Sequence, residues 1–161
     1  MKYLKYICIF LLVLVDSYII YQASLDSVAS SDTSKGITDI IVSFIDFFLP
    51  KDKSIIDIFG KDAVHAFIRK AVGHFGLFFV IGILSYISFI IGSFKKVIYY
   101  ILHVSHGILL ALLTEFIQLF KSGRSGNFKD VGIDCLGYLI STILLMTAIF
   151  IYFKRKETTR C

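Results

Sequence analysis

Tryptophan is absent from this 161-residue chain, proline occurs once and cysteine three times. Without Trp, an interfacial aromatic belt has to be built mainly from Tyr, and Tyr3, Tyr6, Tyr18, Tyr21, Tyr99, Tyr100 and Tyr152 stand where such a belt belongs. Cys8 and Cys135 lie inside apolar runs and Cys161 ends the chain, an odd count without paired spacing, which signals neither a disulfide framework nor a zinc motif. They read as small hydrophobes. Charge is also scarce: 18% charged residues against 57% hydrophobic ones, with a mean hydropathy of +0.79, exclude an ordinary soluble globule. The net charge of +5 does not point to nucleic acid, because no basic stretch carries a nucleic-acid-binding motif.

What the chain has instead is long apolar runs. Residues 3 to 23, 72 to 92, 97 to 120 and 131 to 153 each approach the roughly 20 residues that cross a bilayer. The expectation is an all-α membrane protein, a four-transmembrane-helix bundle forming a single domain over residues 1 to 161. Lys2 and Lys5 precede the first run, Lys95 and Lys96 separate the second from the third, and Lys154, Arg155 and Lys156 follow the fourth. The positive-inside rule then puts both termini in the cytoplasm, and the expected location is the plasma membrane. A cleavable leader fits the first run poorly, since the run is long, holds Asp16 and has Tyr21 where a small residue should precede a cut after Ala23. Lys121, Arg124 and Lys129 fall in a short outer loop, against the charge rule, so either the topology is wrong or these cations have another purpose.

Residues 24 to 36, SLDSVASSDTSKG, read as a polar loop or loosely ordered outer segment. After them Ile37, Ile40, Ile41, Phe44, Ile45 and Phe48 recur at helical spacing until Pro50, predicting a short amphipathic helix on the membrane surface. Residues 54 to 71 predict a second one leading into the second span.

An ionisable group at the bilayer centre costs at least about 2.5 to 3.5 kcal/mol, so such residues face the bundle interior. Lys70 and His74 are one helical turn apart, with Ser85 and Ser88 near the same face; Gly107, Ala111, Glu115 and Gln118 share a face of the third span. Asp130, Asp134, Gly137, Ser141 and Ala148 share one of the fourth. With the assigned topology, Arg69, Lys70, His74, Glu115, Gln118, Arg124, Lys129, Asp130 and Asp134 lie within about two turns of the outer surface and can form one cluster. The plainer alternative is that Arg69 and Lys70 anchor at the interface, Asp130 and Asp134 suit a helix start, and Glu115 pairs with Arg124. The loop KSGRSGNFKD, 121 to 130, has glycines around Arg124 and N–H groups ahead of a helix, a pattern that can hold an anion or simply turn the chain. His106 is roughly opposite Glu115 around the helix, and His103 and His106 have either a proton or metal role or, lacking a matching acid, a structural hydrogen-bonding one; the isolated Asp16 is either a functional partner reaching the outer cluster or a protonated structural carboxyl. One His with scattered acids suits magnesium or no metal, so neither a metal nor another cofactor is expected.

The stretch TEFIQLFKSGRSGNFKDVGIDCLGYLIS, 114 to 141, resembles the signature of VanZ-like membrane proteins: Glu115 with Gln118, Gly123-Arg124, Lys129-Asp130, Asp134 and Gly137. Arg69, Lys70, His74 and Phe75 are similar to that family's second motif. Thr114 stands where many members have Asp, and Gly76-Leu77 replace a frequent acidic-aromatic pair. The resemblance implies a link to glycopeptide resistance, especially to teicoplanin, and to the cell envelope, without supplying a reaction. Two functions follow as expectations. In one, the outer cluster binds membrane lipid, an anionic lipid-linked envelope precursor or a lipoglycopeptide antibiotic, with Arg69, Lys70, Arg124 and Lys129 meeting its phosphate or carboxylate. In the other, a membrane enzyme acts on a lipid phosphate, with His74, Glu115 and Asp134 as the catalytic candidates and Arg124 stabilising developing charge.

Overall fold

The computed structural model describes residues 2–50, 53–90 and 97–158. It contains α1 (Lys2–Ser24), α2 (Ser27–Asp46), α3 (Ile55–Phe59), α4 (Lys61–Ile68), a π-helical segment (Arg69–Gly76), α5 (Leu77–Phe89), α6 (Val97–Gln118) and α7 (Phe128–Thr158). There is no strand among the described residues. Four stretches are long and apolar enough to span a bilayer: Tyr3–Ser24, Lys61–Phe89, Val97–Gln118 and Phe128–Thr158. Their exposed surface is apolar, including Phe10, Leu109, Phe116, Leu136 and Phe150, as expected of helices whose outer faces meet lipid.

At the centre, α5 packs against α1, α6 and α7. Phe78, Ile81, Leu12, Ile19, Leu110, Ala111 and Tyr138 form the buried core. Close approach of α5 to α7 requires Gly82, since a Cβ there would overlap Ser141 Oγ and the Tyr138 carbonyl. Small residues serve this purpose in membrane bundles, where tight packing must replace a hydrophobic driving force between helices.

Two features of the first connection depart from the expectation. Residues 24 to 36 are largely helical: Asp26 caps α2 by accepting the Ala29 N–H at 2.8 Å, and the helix runs from Ser27 through the apolar residues to Asp46. The Ser-rich composition misled because Ser and Thr hydroxyls turn back onto carbonyls within the helix, as Ser34 does to Ser30. Likewise, the second surface helix is divided at Gly60, with φ +82°, and its later part, α4, continues through the π-helical segment into α5 as one long span. The predicted span end at residues 91 and 92, and the Lys95–Lys96 pair used for orientation, lie outside the described residues.

Candidate functional site

The π-helical segment Arg69–Gly76 carries Arg69, Lys70 and His74. Such wide turns are rare, occur mostly inside α-helices and are frequent at functional sites. This one packs against α7, and Gly137 makes the contact possible: any Cβ at 137 would overlap the carbonyl oxygen of Phe75. His74 is thereby brought to the acidic faces of α6 and α7. Its Nδ1 lies 3.1 Å from Asp134 Oδ1 and 3.9 Å from Glu115 Oε1. Both acids are buried, Asp134 with 1% and Glu115 with 5% of its surface exposed. Ligating atoms of His74, Glu115 and Asp134 all lie within 4.8 Å of one another, so these three could hold a metal ion.

Glu115 is fixed from two sides. Gln118 Nε2 donates to Oε1 at 3.2 Å, and the backbone N–H of Asn127 donates to Oε2 at 2.8 Å. The second bond needs the α6–α7 loop to fold back over α6, and Gly126 permits it, for a Cβ there would crowd Glu115's carbonyl oxygen and Leu119. Lys70 pairs with Asp130 at 3.3 Å. Arg69 and Lys129 are exposed.

Arg124 has a different environment from the one its sequence context suggests. Its Nη1 donates to the Gln22 carbonyl at 2.8 Å and reaches Leu25 O at 3.5 Å, closing the C-terminal end of α1. Burial and the neighbouring Arg69 push its pKa below the usual arginine value while Glu115 opposes the shift, and the guanidinium stays charged at neutral pH. No Glu115–Arg124 ion pair forms. The glycine loop is engaged in the same clasp: Gly123 takes a φ of +69° beside Ser27, whose N–H donates to Ser122 O at 3.1 Å. With the Asn127 N–H given to Glu115 and the Arg124 N–H given to Lys121 O, the loop is organised around the protein's own acceptors.

Deeper in the bundle lies a second polar group that the sequence reading left as separate pieces. Asp16 is not isolated and His106 does have an acid: Asp16 Oδ2 on α1 lies 3.0 Å from His106 Nε2 on α6. Helical periodicity orders residues within one helix but is silent on which face of α1 meets α6. The Tyr138 hydroxyl lies 2.6 Å from Ser85 Oγ, 2.9 Å from His103 Nδ1 and 3.4 Å from His106 Nδ1. Thr142 Oγ1 is 3.0 Å from His103 Nε2. This network ties four helices together, with His103 in a hydrogen-bonded structural setting. Tyr138 and Thr142 are the members the sequence reading missed; their places one and two turns below Asp134 on the polar face of α7 were the available signal.

Also beside the site, on the lipid-facing side of α6 and α7, runs an apolar groove of about 620 Å³. Leu109, Leu112, Leu113, Phe116, Leu119 and Phe128 line it, and Glu115 and Asn127 line it too, so the groove touches the polar site.

A bundle of four apolar spans enclosing a His–carboxylate site defines a polytopic α-helical membrane protein, not a soluble domain with an anchor. Residues 7–152 match the model of the family described as VanZ/LLP1, and the chain belongs to that family. No curated protein and no solved structure matches it.

Proposed function

We propose that this VanZ/LLP1-family membrane protein takes an amphiphile out of the surrounding lipid and holds its polar part at the His74–Glu115–Asp134 site. The single observation that carries this reading is the position of Glu115, which belongs both to the buried polar site and to the lining of the apolar groove. A groove of this size and composition, facing lipid, fits an acyl chain. Arg69 and Lys129 are exposed cations at that end of the bundle, suited to a phosphate or carboxylate headgroup. The resemblance noted in the sequence makes a lipid-linked envelope precursor or the acyl-bearing glycopeptide teicoplanin the ligand to test, with resistance or envelope homeostasis as the consequence. The positive-inside reading puts both termini in the cytoplasm and this site at the outer face of the plasma membrane.

A second reading, chemistry on a lipid phosphate, has one observation in its favour. Asp134 Oδ1 stands 3.1 Å from His74 Nδ1, an arrangement that fixes the imidazole and leaves its other nitrogen for proton transfer.

Both readings are tested by comparing teicoplanin resistance and membrane abundance in cells expressing the variants. His74→Ala, Glu115→Gln and Asp134→Asn should each remove the resistance that the wild-type chain confers, at unchanged abundance. Leu113→Trp, which fills the groove without altering an acid, should lower it as well. Undiminished resistance in all four variants would overturn the reading.

A further inference from the structure

The structure assigns a divalent transition-metal cation, zinc or manganese, to His74, Glu115 and Asp134. The inference names a cofactor for the site proposed above but does not depend on which amphiphile that site takes.

The argument begins with charge. Two carboxylates, with 5% and 1% of their surfaces exposed, face one imidazole that supplies at most a single positive charge. The neighbouring cations are otherwise engaged: Lys70 with Asp130 at 3.3 Å, and Arg124 on the carbonyls that end α1. Buried charges have to be paired or bound to metal. Asp134 adds an independent observation. Its Oδ1 meets His74, but its Oδ2 is buried with no hydrogen-bond partner. Buried polar atoms are rarely left in that state, and coordination of a metal ion is one of the physical reasons for an exception. Asp130 Oδ1 also lacks a hydrogen bond but faces the Lys70 ammonium, and Asp16 Oδ1 belongs to the separate pair with His106.

Geometry agrees. Ligand atoms around tetrahedral zinc stand about 3.3 Å apart, given metal–ligand distances near 2.0 to 2.2 Å. The separations of 3.1 and 3.9 Å from His74 Nδ1 bracket that spacing, and all three ligand atoms lie within 4.8 Å of one another. Glu115 is already oriented by Gln118 and by the Asn127 N–H, the kind of outer support that metal-bound carboxylates have. Scattered donors suggested magnesium or no metal, but with the three brought together the imidazole nitrogen favours zinc or manganese over magnesium and calcium, which prefer all-oxygen sets of six or more ligands. Three protein ligands leave a coordination position open.

The test uses the full chain in detergent micelles, stripped with chelator and equilibrated separately with Zn²⁺, Mn²⁺, Mg²⁺ and Ca²⁺. Metal content and unfolding temperature are measured for each. We expect about one zinc or manganese per chain, as a three-ligand site holds one ion, and a higher unfolding temperature on binding. His74→Gln and Asp134→Asn should abolish both effects. Gln118→Leu should weaken binding by roughly 10- to 100-fold, the usual loss when an outer support goes. Asp39→Asn, an exposed acid on α2, should behave as wild type. A stripped wild-type chain that takes up neither zinc nor manganese overturns the inference, as do folded His74→Gln and Asp134→Asn variants that bind as well as wild type. If a variant does not fold, metal uptake by the wild type still decides. No amphiphile enters the measurement, so a metal-free result leaves the lipid-capture reading standing, and unchanged resistance in the cell assay leaves this inference standing.

Discussion

Single residues in this protein are placed by what they cannot do in lipid. A carboxylate inside a bilayer needs a partner, and Asp16 finds His106 across the interface between α1 and α6. Removing either member leaves the other partly buried and unpaired, a penalty of about 1–3 kcal/mol. Asp16→Leu and His106→Leu should therefore each lower stability in detergent unfolding by about that amount, while the double variant loses less than the sum of the two. Strict additivity would show that the pair is not coupled. The same reasoning explains why Arg124 reads so differently before and after folding. Its flanking glycines suggested an anion site, but the strongest nearby acceptors are the unsatisfied carbonyls at the end of α1, close only in three dimensions.

At the level of elements, the π-helical segment is the feature that assembles the site. Sequence periodicity places Lys70 and His74 on one stripe, but it carries no signal for the wider turn or for its seat on α7. The glycines carry that information once the structure is known. Gly137→Ala would push a methyl into the Phe75 carbonyl and lift the segment away from α7, costing about 1–3 kcal/mol as an overpacking change. Five residues earlier on the same helix, Gly132 has open space where its Cβ would go. Gly132→Ala should be neutral or stabilise by up to about 1 kcal/mol, the ordinary gain in helix propensity. Detergent unfolding midpoints of the two variants check the contrast, and equal effects would mean that Gly137 is not a contact point. The Ser-rich stretch teaches the complementary lesson: a polar composition did not prevent α2 from starting at Ser27, because Asp26 caps it and the α6–α7 loop ties down its first turn.

For the whole molecule, four spans place the start of α1 and the end of α7 on one side and the α6–α7 loop on the other. In a chain cleared of native cysteines, Ser125→Cys should react with a membrane-impermeant thiol reagent added to intact cells, and Glu157→Cys should not. The opposite pattern would put the site on the cytoplasmic side and remove the outer-face mechanism. The number and approximate extent of the spans, and most of the interior faces of α5, α6 and α7, were determined by the sequence alone, because lipid admits only helices and closed barrels, apolar runs of about 20 residues select helices, and polar stripes turn inward; Ala148, placed on the inner face of α7, is exposed. The family was also legible there, in motifs concentrated at one end of the chain's spans. Which polar groups meet was decided only by tertiary structure. The pairing of His74 with Asp134, of Asp16 with His106 and of Arg124 with α1 depends on how the helices are rotated and how closely they approach. Those quantities are set jointly by small residues on different helices, and a periodicity confined to one helix does not contain them.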